Sequence, residues 1–466
     1  MTPALSLRQI AEFAGGSLTA GDPDATVSKI STDSRTLQPG DFFVPLRGEN
    51  FEGHKFVEQA SERGALGAMV EASWNGRTSK SFALIRVPDT LAGYQNLAAN
   101  YRRSLTLKVI AITGSNGKTS TKDFVAATLA KKFRVTKTEG NFNNHVGLPQ
   151  TMLAANADDE IAVWEIGMNH PGEIAALAKL AAPDAGIITN VGLAHIEFMG
   201  SREAIATEKG ALAEAVGADG TVILNADDPL SQSIAQRTHA KIILAGIENG
   251  SVRATDVRQS ATGSEFTILE GAHRCRAQLP VPGMHMVQNA MLAVAAGRAF
   301  GLSLEECAAG LASTPLTKAR LQIKEINGIQ FIDDSYNANP DSMKAALRTL
   351  IELGADGRRI AVLGEMGELG EESERGHREV GEAAAALSVD ELIAVGATGA
   401  AIAHAARKAG LKNTVAVDAP EEAAELLAQG ARAGDLILVK GSRSARMERV
   451  MEAFSNLQPA NGRTSP

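Results

Sequence analysis

The chain has two cysteines in 466 residues, Cys275 and Cys307. They lie far apart, and neither has a second metal-ligand pair beside it. That usage argues against a disulfide framework or a zinc site and fits a reducing cytoplasm. Long apolar runs are missing too. Met1 to Gly16 lacks the apolar segment of a secretion signal, and no uncharged stretch reaches the roughly 20 residues that span a bilayer. Neither secretion nor membrane insertion is expected. Nor is there an excess of positive charge. The 46 Lys and Arg stand against 54 Asp and Glu, a net charge of −8. This argues against a nucleic-acid partner, though it allows a local basic cleft.

What is present is a globular composition, 44% hydrophobic and 21% charged, in a chain too long for one ordinary core. Its clearest signal is TGSNGKTS, Thr113 to Ser120, directly after the apolar run Val109–Ile112. Behind it Val125, Leu129 and Phe133 recur at helical spacing. The reading is strand, tight glycine loop, helix, with the amides of Thr113, Gly114, Ser115, Asn116, Gly117 and Ser120 around one anion. Lys118 supplies a mobile charge for β/γ-phosphate oxygens and Thr119 a hydroxyl for Mg²⁺. The spacing is unusual, because two residues, not four, separate Gly114 from Gly117. An incidental glycine turn is the alternative.

Ahead of this loop, residues 1–106 read as a small α/β domain. Leu7, Ile10, Ala11 and Ala14 form a helical stripe ending at Gly15-Gly16. Asp33, Ser34 and Arg35 sit in a loop-like position, either as a solvated turn or with Arg35 on a diphosphate or uracil group. Residues 107–315 alternate strands and helices, the pattern of a mostly parallel sheet. Three strands close on polar groups: 161–164 on Glu165, 187–191 before His195, and 222–224 on Asn225, Asp227 and Asp228. Ligands of open α/β sheets sit at the carboxyl ends of strands, so these groups and the glycine loop should share a crevice. Glu165 is the best second Mg²⁺ contact. His195 is either a ligand or a hydrogen-bonded structural residue. Asn143, Asn144 and His145 form a plain loop or bind a second substrate. Residues 251–280 alternate as antiparallel strands, and Asn289 is the polar residue that the helix at 285–297 does not explain.

From about Leu316 to Pro466 a second α/β rhythm runs through 329–332, 360–363, 392–395, 415–417 and 436–439. The first run ends in DDSYNANPDS (333–342), the second in GEMGELG (364–370), and the last in Lys440-Gly441-Ser442-Arg443, expected to open a helix. A disordered tail is expected from Gln458. Two α/β domains with facing crevices suggest a reaction between a nucleotide on one and a substrate on the other, in a cleft that closes against water.

TGSNGKTS, Glu165 in WEIGMNHPGEI, His195 in TNVGLAHIE and Lys209 in ATEKGAL resemble the Mur ligases of bacterial cell-wall synthesis. STDSRTLQPGDFFVPLRGENFEGHKF, DDSYNANPDSM and LGEMGELGEESERGHREVG carry the resemblance across nearly the whole chain. It implies three α/β domains: an N-terminal one for a UDP-muramoyl-peptide, a central P-loop ATPase domain, and a C-terminal Rossmann-like domain closing on ATP. It further implies an ATP-dependent ligase joining D-alanyl-D-alanine to UDP-N-acetylmuramoyl-tripeptide, a monomer, with two Mg²⁺ ions and a carbamate on Lys209. By the same resemblance Lys118, His195, Lys209 and Arg320 are catalytic, and Thr119, Glu165, His195 and Lys209 serve the metal. Asn289, Arg320, Asp334 and Tyr336 contact the nucleotide, while Ser34, Arg35, Asn143, Asn144, Asn337 and Asn339 contact substrate. Met286 departs from the family, which often has Asn there. Without the family, Lys209 would pair with Glu203 or Glu208 on an exposed helix face. Three other readings are a Mur ligase adding the third amino acid, a folylpolyglutamate synthase, and a nucleotide switch without ligase activity. An Asp-Asn-Pro-Arg string, typical of the first, does not occur.

Overall fold

The computed structural model describes residues 5–48, 51–315 and 317–457. Leu316 and the expected tail from Gln458 lie outside the described residues. Three α/β domains follow one another, each built on its own sheet. In the first, Ile30–Ser31, Phe42–Phe43, Gly67–Glu71 and Ala83–Val87 run parallel, and Ser17–Ala20 closes the edge antiparallel. Its opening helix, Leu7–Ala14, starts at a Ser6/Gln9 capping box and buries Leu7, Ile10, Ala11 and Ala14. It stops at Gly15, whose φ of 68° is open to glycine at little cost.

The central sheet has nine strands. Lys108–Thr113 lies between Ile161–Glu165 and Ala185–Ile188, all parallel. Val109, Ile110, Ala111 and Ile112 have no solvent exposure. Helices cover both faces, which is why this strand reads as an unbroken apolar run, not an alternation. Val252–Ser260, Gly263–Glu270 and His273–Leu279 extend the sheet antiparallel, as expected for 251–280. Two differences from expectation arise here. The strand before His195 ends at Ile188, so Thr189, Asn190 and Val191 belong to the loop. A further parallel strand, Lys241–Gly246, had not been singled out; Ile242 and Leu244 on one of its faces remain exposed.

The third sheet orders Gln322–Ile326, Ile329–Asp334, Leu436–Lys440, Arg359–Leu363, Glu391–Val395 and Thr414–Val417. All pairs are parallel except the first, a hairpin. Residues 443–445 form one 3-10 turn, and the helix proper waits until Glu448–Asn456. The helix Pro340–Leu353 begins where the sequence says it must. Asn339 caps it, and Pro340 fills the first position, where a missing N–H costs nothing. Among the described residues no helix is long and apolar enough to cross a membrane.

The domains are tied at named points. Tyr101 donates to the Ala155 carbonyl at 2.7 Å, and Arg102 reaches Asp184 from the first domain. The link into the third domain is fastened by Thr317, whose amide and hydroxyl both donate to Asp123 Oδ2, at 3.2 and 2.7 Å. Asp123 lies just over one turn along the helix Lys118–Leu129 that leaves the glycine loop.

Candidate active site

The glycine loop is braced from one side. Ser115 and Asn116 give their amides to the carbonyl and side-chain oxygens of Asn190, at 3.0 and 2.9 Å. Thr189 and Asn190 in turn donate to the Asn116 carbonyl, at 2.5 and 3.1 Å. These two amides are therefore occupied, which narrows the sequence expectation. The amides of Gly117, Lys118, Thr119 and Ser120 have no protein acceptor among the described residues, and they form the N-terminus of the helix Lys118–Leu129. This is the set left for an anion. Both glycines are required by geometry. A Cβ on Gly114 would stand 1.8 Å from the Thr189 hydroxyl, and one on Gly117 would stand 2.6 Å from the Asn289 amide. Thr113 closes the strand beneath, its hydroxyl buried and unpartnered.

Lys118 folds back over this loop and donates to the Gly114 carbonyl at 2.7 Å. Enclosure pushes its pKa below the ordinary lysine range, with the Glu165 carboxylate pulling the other way. Thr119 donates to Glu165 Oε2 at 3.0 Å, and Asn143 donates to Oε1 at 2.8 Å. Glu165 is 3% exposed and has no basic partner among the described residues. A buried carboxylate held by two neutral donors, beside a hydroxyl, is an incomplete arrangement that a cation completes. Asn144 is otherwise engaged. Its side-chain oxygen accepts from Val146 and Gly147 and starts the helix Gly147–Leu153. Asn225, Asp227 and Asp228 brace loops: Asn225 donates to the Thr189 carbonyl, and Asp228 accepts the Val191 amide.

The third domain meets the loop directly. Asn339 donates to Asn116 Oδ1 at 2.7 Å, and Asp341 Oδ2 accepts the Leu193 amide at 3.1 Å. Arg320 lies over the Tyr336 ring, 4.3 Å from its centroid, with a buried Nε that has no partner. On either side of it Ala319 and Leu321 adopt φ values of 58° and 53°, uncommon for residues with a side chain. Asp334 binds the buried Lys440 amine at 2.5 Å, and Asn337 offers its carbonyl to the same amine at 2.9 Å. Burial pushes Lys440 below the usual lysine range. It also holds the nearby His285 down at about 4, so that ring is neutral at pH 7.

Lys118, Thr119, Glu165, Asn289, Arg320, Asp334 and Tyr336 thus line one cleft of about 1100 Å³, together with Asn143, Asn144, His195, Asn337 and Asn339. Met286 lines it as well. Ser34, Arg35 and Lys209 do not. Arg35 is exposed and paired with Asp33 at 2.9 Å, and the Ser34 carbonyl accepts from Arg63. Lys209 is 1% exposed. The exposed-face alternative for it fails, because Glu208 spends both oxygens on the amides of Gly172 and Ile174. Burial, with Lys118 repelling, pushes Lys209 well below the ordinary lysine range. No three of His, Cys, Asp and Glu cluster as a metal set among the described residues.

Two groups escaped the sequence reading. Lys440 was noted only as a strand end. Glu368 lies in GEMGELG, and its carboxylate comes 2.6 Å from His195 Nδ1. Lys440 ends a strand and Glu368 follows one, but no local pattern joins Glu368 to His195, 173 positions away.

Family models match along most of the chain: a Mur ligase family catalytic domain at 26–89, a Mur ligase middle domain at 112–297, and a Mur ligase glutamate ligase domain at 319–443. A UDP-N-acetylmuramoyl-tripeptide--D-alanyl-D-alanine ligase of Bacillus subtilis is 41% identical over 96% of this chain and 97% of its own. The chain belongs to the Mur ligase family. Among solved Mur ligases, a MurF from Acinetobacter baumannii superposes with a TM-score of 0.91 at 32% identity, covering 98% of this chain and all of that one. A Thermotoga maritima MurF ligase solved in complex with ADP gives 0.83 at 29% identity, over 92% and 97%.

The Lys118→Ala variant tests the loop. Its side chain faces a solvated cleft, so the fold should survive while phosphate release falls by about 100-fold or more. Near-normal turnover in a folded variant would remove the loop from the chemistry.

Proposed function

We propose that the chain is an ATP-dependent ligase that joins D-alanyl-D-alanine to UDP-N-acetylmuramoyl-tripeptide, with release of ADP and phosphate. One observation carries the chemistry. The anion-binding helix end of the central domain and the Arg320, Asp334 and Lys440 cluster of the third line a single cleft. The choice of substrates rests on the relatives described above.

A carboxylate is a poor electrophile and must be activated. The tripeptide's terminal carboxylate attacks the γ-phosphorus of ATP, ADP leaves, and an acyl phosphate forms. The amine of D-alanyl-D-alanine then attacks the carbonyl carbon. The bond to phosphate oxygen breaks, the amine's proton passes to solvent, and an amide remains. Lys118 and the amides of Gly117 to Ser120 hold the transferring phosphoryl group, and Arg320 adds charge from the opposite wall. Mg²⁺ fits Thr119 and Glu165, an adjacent pair of hard oxygens, and the buried His195 Nδ1 without an aligned hydrogen-bond partner offers a further donor ring. When bound, Mg²⁺ would offset charge on the phosphoryl oxygens. Docking of the third domain through Asn339 and Asp341 keeps water from the acyl phosphate.

In this reading residues 1–106 hold the uridine end, with Ser34 and Arg35, and the muramoyl-peptide extends past Asn143 and Asn144 into the cleft. Residues 107–315 bind ATP. Asn289 of that central domain meets the nucleotide, and residues 316–466 close over it, with Asp334 and Tyr336 on the nucleotide and Asn337 and Asn339 toward the dipeptide. The enzyme works as a monomer in the cytoplasm. Lys209 acts as a carbamate. Its buried amine, depleted of its proton, can capture carbon dioxide and become an anion with two oxygens.

Two experiments follow. Phosphate release should require UDP-N-acetylmuramoyl-tripeptide and D-alanyl-D-alanine together. Strong turnover with a UDP-muramoyl-dipeptide and a single diamino acid would overturn the substrate assignment. ATP hydrolysis indifferent to any amine would favour a nucleotide switch. Lys209→Ala should lose ligation and regain part of it when a short-chain carboxylic acid fills the gap. Full activity without added acid would rule out the carbamate.

A further inference from the structure

We infer that Glu368, carried by the third domain, fixes the ring orientation of His195 in the central domain, so that the cation side of the cleft is completed only when the third domain docks. The inference rests on the proposed function, because it takes a divalent cation beside Thr119 and Glu165 as given.

His195 precedes the short helix Ile196–Met199, and Glu368 lies in the loop after the strand Arg359–Leu363. Their backbones are both left-handed, with φ of 63° and 59°. Two side-chain-bearing residues in that region, facing each other across a domain boundary, are positions that the surroundings must impose. The surroundings do so. The Glu197 amide points to the Glu368 carbonyl at 3.4 Å, and a Cβ on Gly370 would come within 3.0 Å of the Glu197 side chain. From within the third domain, His377 Nε2 accepts the Met366 amide at 3.0 Å, and the Glu365 carbonyl accepts from Ser442. The loop is thus clamped on both sides of Glu368.

What the clamp delivers is a carboxylate oxygen 2.6 Å from His195 Nδ1. The distance is that of a charge-assisted hydrogen bond, while the angle is not, since Nδ1 has no aligned acceptor. With Nδ1–H on the carboxylate, the proton is off Nε2, and that nitrogen is left with a lone pair for a cation. Metal-binding histidines are commonly oriented in this way by an acid on the other nitrogen. Here the acid comes from a different domain, so the ring is set only after docking. Glu368 lines the same cleft as Lys118 and the phosphate loop. It is a positioning residue, acting through His195.

The test uses the full chain with Mn²⁺ titrated in the presence of ADP and followed by electron paramagnetic resonance. Glu368→Ala keeps a side chain of the same backbone strain, and its melting temperature should match wild type. Its Mn²⁺ affinity should fall by about 10-fold or more, with ADP affinity in the absence of metal changed by less than about twofold. Glu368→Gln retains an acceptor oxygen and should recover part of the loss, which also serves if the alanine variant misfolds. Mn²⁺ affinity unchanged in both variants would overturn the role of Glu368 and leave the ligase reading standing. Wild-type protein with no amine-dependent phosphate release would overturn the ligase reading itself.

Discussion

The proposed reaction needs a polyanion held in the cleft, and one helix end offers the unpaired amides for it. The helix Lys118–Leu129 leaves four amides free at its start, and much of the molecule is arranged around that spot. The central sheet places the strand Lys108–Thr113 beneath it, with Val109 to Thr113 buried. The neighbouring loop, through Thr189 and Asn190, fixes the first half of the glycine turn and so decides which amides remain available.

The second constraint is that no single domain completes the site. That helix and the glycine loop before it each anchor the third domain once. Asp123 holds the connecting segment at Thr317, and Asn116 meets Asn339 at the mouth. Between these anchors lies Arg320, flanked by two residues of left-handed backbone. Strain of this kind, of order 1–3 kcal/mol for each residue, persists only where the rest of the structure insists on it. Here the result is a guanidinium lying on Tyr336 at the cleft wall. Docking and placement of charge are therefore the same event.

The chain's architecture was legible because buried parallel strands advertise themselves as short apolar runs, and each of the five expected in the third domain is present. Lys241–Gly246 carries the same kind of apolar run, Ile242 to Leu244, yet leaves Ile242 and Leu244 exposed, so an apolar run marks a strand here without marking burial. At the site, Thr119 and Glu165 could be paired from sequence alone, since an acid ending an apolar strand needs a reason. Glu368 could not. Its role depends on a contact between residues 173 positions apart, and no local pattern records that. Asn144 meets both demands at once, since its side-chain oxygen accepts the Val146 and Gly147 amides while the residue lines the cleft.

The most direct measurement follows oxygen atoms. UDP-N-acetylmuramoyl-tripeptide labelled with ¹⁸O in its terminal carboxylate is turned over with ATP and D-alanyl-D-alanine, and the released phosphate is analysed by mass. Activation through an acyl phosphate in the shared cleft requires one labelled oxygen to leave with the phosphate. Amide formed alongside phosphate free of label would contradict it.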